Sequence, residues 1–196
     1  MIHNVPVPPV VAAGRMAGNP QPVFDLPSGL ELRPWDLSDA DVLVAASQDP
    51  AIRQWNILLV ESAEDAREGI ERMHGRWQAE LGASWAIARP GGGAAVGLIG
   101  WSDIDLKGGS AEIAYWVLPA ARGGGVVVEA VKRVSRWALE DLGLHRLRLC
   151  HSVANPASCR VAAKAGYSIE GTMRSALLHP DGWHDQHLHA LIGSDL

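Results

Sequence analysis

Three consecutive glycines between two regular patterns limit what this chain can fold into more than any other feature of the sequence. Residues 111–118 are apolar, β-branched and aromatic, and Pro119 follows them, so the pattern predicts a strand that ends there because proline cannot donate to a ladder. From residue 127 to residue 142, apolar residues recur at three- and four-residue spacing, and the next residue is a glycine. This spacing predicts one long helix. The glycines at 123–125 therefore form a loop between a strand and the N-terminus of a helix.

This glycine-rich loop is predicted to bind an anion such as a phosphate group. Glycines cannot hold a ligand away from the backbone N–H groups, and these groups lie at the positive end of the helix. No Gly-Lys-Ser/Thr follows, which excludes a nucleoside-triphosphate loop, and Val128 stands where a dinucleotide fingerprint has its third glycine. The alternative is an ordinary turn that only ends the strand and begins the helix.

The loop resembles motif A of the GNAT acetyltransferases, Gln/Arg-x-x-Gly-x-Gly/Ala. Arg122 and Gly125 stand at matching positions, and Val127 stands where the family has Gly or Ala. In that family the loop holds the pyrophosphate of acetyl-CoA, so the resemblance implies acetyl-CoA as the cosubstrate. Because Val127 is bulkier than Gly or Ala, we expect it to push the pyrophosphate outward or to weaken its binding.

A second signature follows the next predicted strand. Residues 155–167 resemble the Asn-x-x-Ser-x-x-x-x-x-Lys-x-Gly-Phe/Tyr stretch of the branch that contains the ribosomal-protein alanine and serine N-acetyltransferases. Glu170-Gly171 and the run at 181–185 match the same branch. The matches occur in order along residues 30–192, so the resemblance covers most of the chain.

The resemblance implies an α/β fold with a mixed, largely antiparallel central sheet of about six to seven strands flanked by about four helices. The chain of 196 residues is 47% hydrophobic, which predicts one domain over residues 27–196. Residues 1–26 are predicted to be a mobile or extended N-terminal arm. The sequence pattern predicts strands at 30–35, 85–88, 95–103, 111–118, 146–153, 167–178 and 183–192, and helices at 38–48, 63–81, 127–142 and 155–165.

Composition also limits the partners and the compartment. The net charge is −5 and the Lys and Arg residues are scattered, so no basic stripe is available for direct binding to nucleic acid. No run approaches the roughly 18 apolar residues that a membrane span needs, and the N-terminal segment lacks the basic region of a signal peptide. The two cysteines, Cys150 and Cys159, are too few for a disulfide framework, which predicts the cytoplasm. A homodimer is left open.

The family resemblance assigns acetyl-CoA to the end of the strand, the loop, the start of the long helix and the next strand-to-helix junction. A backbone N–H near Trp116 and Val117 is implied to polarise the thioester carbonyl. Asn155 is implied to anchor the pantetheine arm, and an N-cap followed by Pro156 is the alternative for this residue. The residues assigned to the cofactor are Trp116, Val117, Leu118, Arg122, Gly123, Gly124, Gly125, Val126, Val127, Asn155 and Ser158.

Two glutamates are candidates for the base that receives the proton of the amine. Glu112 matches the position where some GNAT enzymes place a general base, and Glu170 matches a glutamate that acts through water in the ribosomal-protein branch. The alternative for either is a solvated residue or an ion pair. The tyrosine that many GNAT enzymes use to protonate the leaving thiolate is replaced by Ala162. The resemblance to the branch therefore implies that Ser158 forms a hydrogen bond with the sulfur of the leaving thiolate. The alternative is that the Ser158 hydroxyl forms only an ordinary local hydrogen bond.

The acceptor is expected to be the α-amine of a protein N-terminus. Deprotonation at pH 7 costs about 1.4 kcal/mol for an α-amine and over about 4 kcal/mol for lysine, so a weakly equipped site favours the α-amine. The first alternative is an acetyltransferase for small-molecule amines, such as an antibiotic or a polyamine. The second is an inactive CoA-binding interaction module, which the departures at Val127 and Ala162 would mark.

Residues from two regions are candidates for contacts with the acceptor, namely Trp55 and Asp185. Most of the tryptophans are better explained by core packing. Three histidines stand at 184, 187 and 189, but strand alternation brings only the last two to the face of Asp185. No metal site is therefore predicted.

Overall fold

The computed structural model describes residues 7–56 and 59–196, and one eight-stranded sheet runs through it in the order β1-β2-β3-β4-β5-β6-β8-β7. Every neighbouring pair is antiparallel except β5 and β6, which are parallel. The antiparallel pattern of the sheet is therefore interrupted between β5 and β6, in the middle of the sheet. The strands are β1 (Phe24–Asp25), β2 (Glu31–Pro34), β3 (Ala83–Ala88), β4 (Ala95–Asp105), β5 (Ser110–Val117), β6 (Arg146–Ser152), β7 (Ser168–His179) and β8 (Gly182–Ile192).

Within the described ranges, five α-helices connect the strands and cover both faces of the sheet. They are α1 (Ala40–Gln48), α2 (Pro50–Trp55), α3 (Ala63–Gln78), α4 (Val126–Arg136) and α5 (Pro156–Ala165). Residues 137–142 extend α4 as a π-helical segment that ends at Gly143, which has φ +89°. In the described part of the chain, no helix is long and apolar enough to cross a membrane.

The buried apolar residues form two clusters, one on each face of the sheet. On one face Leu43 of α1, Ile52 of α2 and Ile70 of α3 pack with Trp116 of β5. On the other face the apolar stripe of α4 and the end of α5 pack on the sheet, among them Ala130, Val131, Val134 and Ala162. The period-3.6 stripe of α4 thus buries the face that the sequence predicts.

The parallel pair β5 and β6 separates soon after it begins. Its register covers only Ser110–Glu112 against Arg146–Arg148. A bulge at Ser102 lies in β4 beside this point, and β6 stays paired with β8 as far as Ser152. Beyond Glu112, β5 and β6 therefore diverge and leave a gap in the sheet that α4 and α5 enter.

The predicted α/β class with a mostly antiparallel GNAT-type sheet is confirmed, and the sheet is slightly larger than predicted. The additional strand is β1, whose two residues pair with Leu32 and Glu31 of β2. The additional helix is α2, which begins after a capping Asp49 and has Pro50 at its first position. An Asp-Pro pair is a recognised helix start, so this helix was detectable in the sequence.

The N-terminal segment differs most from its prediction. Residues 1–6 of the predicted arm lie outside the described residues. Residues 10–26 are attached to the domain by hydrogen bonds that begin at Val10, and Met16 is fully buried. The Glu80 carboxylate accepts from the backbone N–H groups of Gly14 and Met16 at 2.7 and 2.6 Å. The Trp77 and Trp85 indole nitrogens donate to carbonyls of the same segment at 3.1 and 2.8 Å. These partners lie some 60 residues away in sequence, which is why local composition did not predict the packing.

Candidate functional site

A cavity of about 950 Å³ lies at the gap between β5 and β6. The N-terminal turns of α4 and α5, the end of α2, and β7 complete its walls. Leu118, Gly124, Glu170 and Asp185 are not among the described residues that line it. The predicted site residues that do line it are Trp55, Glu112, Trp116, Val117, Arg122, Gly123, Gly125, Val126, Val127, Asn155 and Ser158.

The glycine-rich loop is open towards this cavity. Gly123 and Gly125 have φ of +87° and +81°, a conformation that L side chains rarely adopt, whereas Gly124 lies outside that region. A Cβ atom added to any of the three would meet no heavy atom within 4 Å. No side chain in the described part of the protein caps α4, and the first helical bond of α4 runs from the Glu129 N–H to the Gly125 carbonyl at 3.2 Å. The N–H groups of the first turn are therefore available to an anion.

Arg122 fixes the beginning of the loop. Its Nη2 donates to Asp49 Oδ1 at 2.8 Å, and its Nε donates to the Val117 carbonyl at 3.2 Å. Burial acts to raise the pKa of Asp49, but the bonds from Arg122 and from the Ile52 backbone outweigh it and lower this pKa. Asp49 is also the N-cap of α2, so a single carboxylate connects the loop to the helix that carries Trp55.

The backbone of β5 directs a donor into the gap. The Leu118 N–H donates to the Val96 carbonyl of β4 at 2.9 Å. Because N–H groups of successive strand residues point to opposite sides, the Val117 N–H points away from β4 and into the gap. Trp116 lines the cavity with its side chain, which packs at a ring distance of 6.0 Å on Trp35.

The N-terminus of α5 faces the same cavity with its donors partly satisfied by the chain. Asn155 is buried, and its Oδ1 accepts from the Ser158 N–H at 3.2 Å. The predicted N-cap is therefore present, and the predicted cofactor contact of Asn155 stays a prediction. Tyr115 of β5 lies next to Ser158, and its buried hydroxyl has no hydrogen-bond partner of good geometry among residues 7–56 and 59–196. Burial raises the pKa of Tyr115 to about 12, against the effect of Ser158.

Glu112 is the carboxylate inside the cavity. It lies on the same face as Arg148 and Cys150 of β6. Burial raises the pKa of Glu112, and Arg148 opposes this from a distance of 3.9 Å. Arg148 is closer to Asp103, at 2.8 Å, so its charge is shared between two carboxylates. Burial and the neighbouring Glu112 raise the pKa of Cys150 to about 12, which keeps this thiol protonated.

Glu170 lies outside the cavity on β7. Its carboxylate is exposed and forms a two-point ion pair with Arg146 of β6, one bond of which measures 2.8 Å. This hydrogen bond lowers the pKa of Glu170. This ion pair is the alternative that the sequence analysis gave for Glu170, and the carboxylate does not line the cavity, so its role as a base through water stays a prediction.

The open side of the cavity is formed by α2 and β7. The Trp55 ring meets the His179 ring edge to face with 5.2 Å between centroids. Behind them, Ser152 Oγ lies 2.6 Å from His184 Nδ1, and His184 Nε2 lies 3.0 Å from Asp181 Oδ1. This chain of hydrogen bonds leads from the cavity wall at Ser152 to an exposed carboxylate.

Asp185 forms a hydrogen bond within its own hairpin, and its predicted contact with the acceptor stays a prediction. Its Oδ1 accepts from the Ser175 N–H at 2.9 Å. Ser175 has φ +46° and lies in the irregular stretch where the register of β7 against β8 shifts. Asp185 therefore stabilises the bend of the β7–β8 hairpin, and strand alternation alone could not predict this partner.

The sequence matches the acetyltransferase (GNAT) domain family over residues 29–168, which is more than half of the chain. The protein belongs to the GNAT acetyltransferase family. It is therefore an N-acetyltransferase, as the two sequence signatures predicted, and the matched region includes the glycine-rich loop, the gap and the start of α5.

Relatives of this GNAT domain include ribosomal-protein enzymes. An uncharacterized N-acetyltransferase, YoaA of Bacillus subtilis, is 27% identical over 79% of this chain and 88% of its own length. The ribosomal-protein-serine acetyltransferase of Escherichia coli is 27% identical over 68% of this chain and 73% of its own. The structure of the ribosomal-protein alpha-N-acetyltransferase RimL in complex with coenzyme A has a TM-score of 0.80 at 21% identity, and covers 87% of this chain and 98% of that one.

Sequence reasoning missed two parts of this GNAT site. Tyr115 belongs to an apolar strand and was indistinguishable from a core aromatic. Its proximity to Ser158 depends on how α5 meets β5 across the gap. Trp55 was found, but its partner His179 was not, because a contact between α2 and β7 leaves no periodic signal.

Proposed function

We propose that this GNAT enzyme transfers the acetyl group of acetyl-CoA to the α-amine of a protein N-terminus. The observation that carries the proposal is the gap between β5 and β6, which connects the uncapped N-terminus of α4 to Glu112. One end offers backbone donors to a pyrophosphate, and the other offers a carboxylate to an amine. The ribosomal-protein enzymes among the relatives support the choice of acceptor.

The loop at 122–125 and the first turn of α4 are suited to hold the pyrophosphate. The space around the glycines is open, and the cavity is at the upper end of the range of about 300–1,000 Å³ usual for ligand sites. The pantetheine arm would follow the gap past Asn155, whose side-chain NH₂ is left for it when Oδ1 caps α5. Val127 lines the cavity with a side chain larger than the family's usual Gly or Ala, so it narrows the space beside the loop.

The Val117 N–H is the donor that we assign to the thioester oxygen. As the amine nitrogen attacks the carbonyl carbon, negative charge grows on this oxygen, and a fixed donor there lowers the barrier. Removal of one such donor costs about 100- to 1,000-fold in comparable enzymes. The N–H belongs to a strand that is held by β4 on its other side, so its direction is fixed before the substrate binds.

Glu112 is the base that we assign to the amine. Burial raises its pKa, which brings the carboxylate closer to the value that suits a general base at neutral pH. It lies five residues from Val117, or about 16 Å along the strand, so the proton reaches it through cavity water. The amine loses this proton, a C–N bond forms, and the C–S bond breaks.

Ser158 and Tyr115 are the donors that we assign to the leaving sulfur. The position of the family's tyrosine is Ala162, which is fully buried on the helix. Tyr115 reaches the neighbourhood of Ser158 from β5 instead, and its raised pKa keeps it protonated as a hydrogen-bond donor. Because a thiol has a pKa near about 8.5, the sulfur leaves as a stabilised thiolate and needs no full proton transfer.

The acceptor end fits a chain terminus. It lies between α2 and β7, where Trp55 and His179 form an aromatic edge and Asp181 is exposed nearby. An α-amine costs about 1.4 kcal/mol to deprotonate at pH 7, which is within reach of one carboxylate acting through water. Lysine costs over about 4 kcal/mol and would need a stronger base.

The test measures acetyl transfer from acetyl-CoA to three acceptor sets with the untagged protein. The first set contains peptides with a free N-terminal Ser, Ala or Met, and the second contains the same peptides with a blocked N-terminus and a free lysine. The third contains polyamines and aminoglycosides. Mass spectrometry of the product locates the acetyl group. We expect turnover of the first set, with the acetyl group on the α-nitrogen.

The other outcomes distinguish the alternatives. Turnover of only the lysine peptides or only the small amines would overturn the N-terminal acceptor. Binding of acetyl-CoA by calorimetry without turnover of any set would favour the CoA-binding interaction module. Absence of binding would overturn the assignment of the loop as well.

A further inference from the structure

Four side chains of the types that can bind a metal ion lie close together at the wall of the cavity, which His151 lines. His151 lies on β6, directly across the ladder from His187 of β8, and His189 follows on the same face. Cys159 reaches this face from the first turns of α5. One ligand atom from each of the four lies within 4.8 Å of the others. The sequence analysis predicted no metal because strand alternation gave only His187 and His189, whereas the structure adds one residue from each of two other elements.

The separations approach those of a tetrahedral zinc site. Zn–N bonds of about 2.05 Å and a Zn–S bond of about 2.3 Å require ligand atoms about 3.3–3.6 Å apart. The Nε2 atoms of His151 and His189 are 3.2 Å apart. The longest separation in the cluster must contract by about 1 Å, which rotation of the half-buried Cys159 and His187 side chains can supply.

The possible tautomers of the buried His151 and His189 rings favour a cation between the two Nε2 atoms. His151 Nδ1 lies 2.8 Å from the Ser152 carbonyl and donates to it, so the neutral ring presents a lone pair at Nε2. If His189 carries its proton on Nε2, it donates to this lone pair and leaves a buried Nδ1 acceptor that no described residue satisfies. If the proton is on Nδ1, two lone pairs face each other at 3.2 Å. A cation between the two Nε2 atoms removes this conflict.

Two further observations favour a ligand. Metal-binding histidines usually donate their second N–H to a carbonyl, as His151 does to Ser152. His189 is 3% exposed, and the Tyr167 backbone carbonyl beside it can accept its second N–H. His187 likewise has a buried Nδ1 without a hydrogen-bond partner in the described ranges. Buried polar atoms are seldom left unpaired without a reason.

We propose that His151, His187, His189 and Cys159 bind one zinc ion in a closed tetrahedral site. Three Zn–N bonds and one Zn–S bond form, and the thiol proton passes to solvent. Nitrogen and thiolate ligands select zinc over magnesium or calcium, and four protein ligands leave no position for substrate, which is typical of a structural site. The ion would connect α5 to β6 and β8 directly beside Ser158, and would hold the end of the gap in one geometry.

The experiment titrates zinc into untagged, chelator-treated protein in competition with a chromophoric chelator. We expect one zinc per chain, and an absorption spectrum with cobalt(II) that has a thiolate charge-transfer band and the intense visible bands of tetrahedral coordination. Cys159→Ser should lose the charge-transfer band and weaken zinc binding by at least about 100-fold. His187→Ala should weaken it to a similar degree.

Two control variants keep their zinc affinity if the proposal is correct. Cys150→Ser removes the other cysteine, which lies on the opposite face of β6, and His145→Ala removes an exposed histidine. Circular dichroism without zinc checks that all variants fold. The proposal is overturned if zinc binds wild type and Cys159→Ser equally, if cobalt gives no thiolate band, or if the titration detects no stoichiometric zinc. Zinc should also raise the melting temperature of wild type and not that of Cys159→Ser.

Discussion

The helices α4 and α5 begin at the same cavity, but their N-termini differ in whether a side chain caps them. α4 starts at Gly125 in a left-handed conformation, and no side chain caps it. α5 starts at Asn155, whose Oδ1 satisfies the Ser158 N–H at 3.2 Å, and its first residue is Pro156, which has no N–H. A side chain of the protein thus satisfies one N–H group at the start of α5, whereas no described side chain does so at the start of α4.

The same difference separates the two candidate carboxylates. Glu170 is held by Arg146 at the edge of the sheet, and its hydrogen bonds stabilise its charge. Glu112 is partly buried in the cavity, and the nearby charge of Arg148 is shared with Asp103, which lies closer to Arg148 than Glu112 does. Under the proposed function, the groups that the fold satisfies stabilise the protein, and the groups beside the cavity that it leaves unsatisfied bind substrate and cosubstrate.

The largest expected effect follows from blocking the free N-terminus of α4. Gly124→Glu adds a carboxylate to the loop between two glycines that line the cavity, at a position that lacks the positive φ of its neighbours. Repulsion of a nearby charge is worth about 1 kcal/mol in water and about 4 kcal/mol at the edge of a protein, and the side chain also fills the space. We expect acetyl-CoA affinity, measured by calorimetry, to fall by at least about 100-fold.

The matched control for this change is Gly75→Glu. Gly75 lies on an exposed turn of α3, and a Cβ atom there also meets nothing within 4 Å. The variant makes the same change in charge and should bind acetyl-CoA like wild type. Equal affinity of Gly124→Glu and Gly75→Glu would contradict the role of the α4 N-terminus.

The second prediction compares the two carboxylates by rate. Glu112→Gln should lower kcat about 100-fold, because a general base contributes about 100- to 10,000-fold and water can replace part of it. Glu170→Gln should leave kcat near the wild-type value. Steady-state kinetics with a peptide acceptor measure both. A larger loss of kcat in Glu170→Gln than in Glu112→Gln would mean that the ion-paired Glu170 is the base. It would then be wrong that the carboxylate satisfied by the fold has no part in the reaction.

The third prediction concerns the capped N-terminus of α5. Asn155→Ala should destabilise the protein by about 1 kcal/mol, the usual value of an N-cap. Asn155→Asp keeps an oxygen at the same position and should recover most of this loss. Urea unfolding followed by circular dichroism measures both. If Asn155→Ala keeps full stability, the cap contributes nothing and the residue is retained for another contact.

Much of the fold was predictable because its signals are local. The seven long strands and four of the helices follow from alternation, from the stripe of α4 and from glycines such as Gly143 and Gly166 that end helices in a left-handed conformation. The strand β1 was missed because two residues carry no periodicity, and it exists only through its pairing with β2. The packing of residues 10–26 was missed because Glu80 and two distant tryptophans hold it.

The candidate site was predictable where one segment carries it and not where several segments meet. The glycine-rich loop is a single segment, so its composition was enough to predict a turn between a strand and a helix, and its binding of acetyl-CoA stays a prediction. The contacts of Tyr115 with Ser158 and of His151 with Cys159 each join a strand to α5, and no spacing within one element encodes them. The hydrogen bond between Asp185 and Ser175 also could not be inferred from the strand face on which Asp185 lies.

The smallest predicted effects are changes in the free energy of unfolding, and these changes have opposite signs when Glu112 and Glu170 are replaced by Gln. A raised pKa in the folded state, as for Glu112, means that stability is lost as the pH rises through that pKa, so Glu112→Gln should be more stable than wild type at pH 7.5. A lowered pKa, as for Glu170, adds stability above the unfolded value that is lost as the pH falls through the folded pKa. Glu170→Gln should therefore be less stable than wild type at pH 7.5. The difference for Glu112→Gln should vanish below the ordinary pKa of a glutamate, and the difference for Glu170→Gln only after the pH has fallen through the lowered pKa of Glu170. Urea unfolding at a series of pH values measures them, and a loss of stability in both variants at pH 7.5 would mean that Glu112 is as well satisfied by the fold as Glu170.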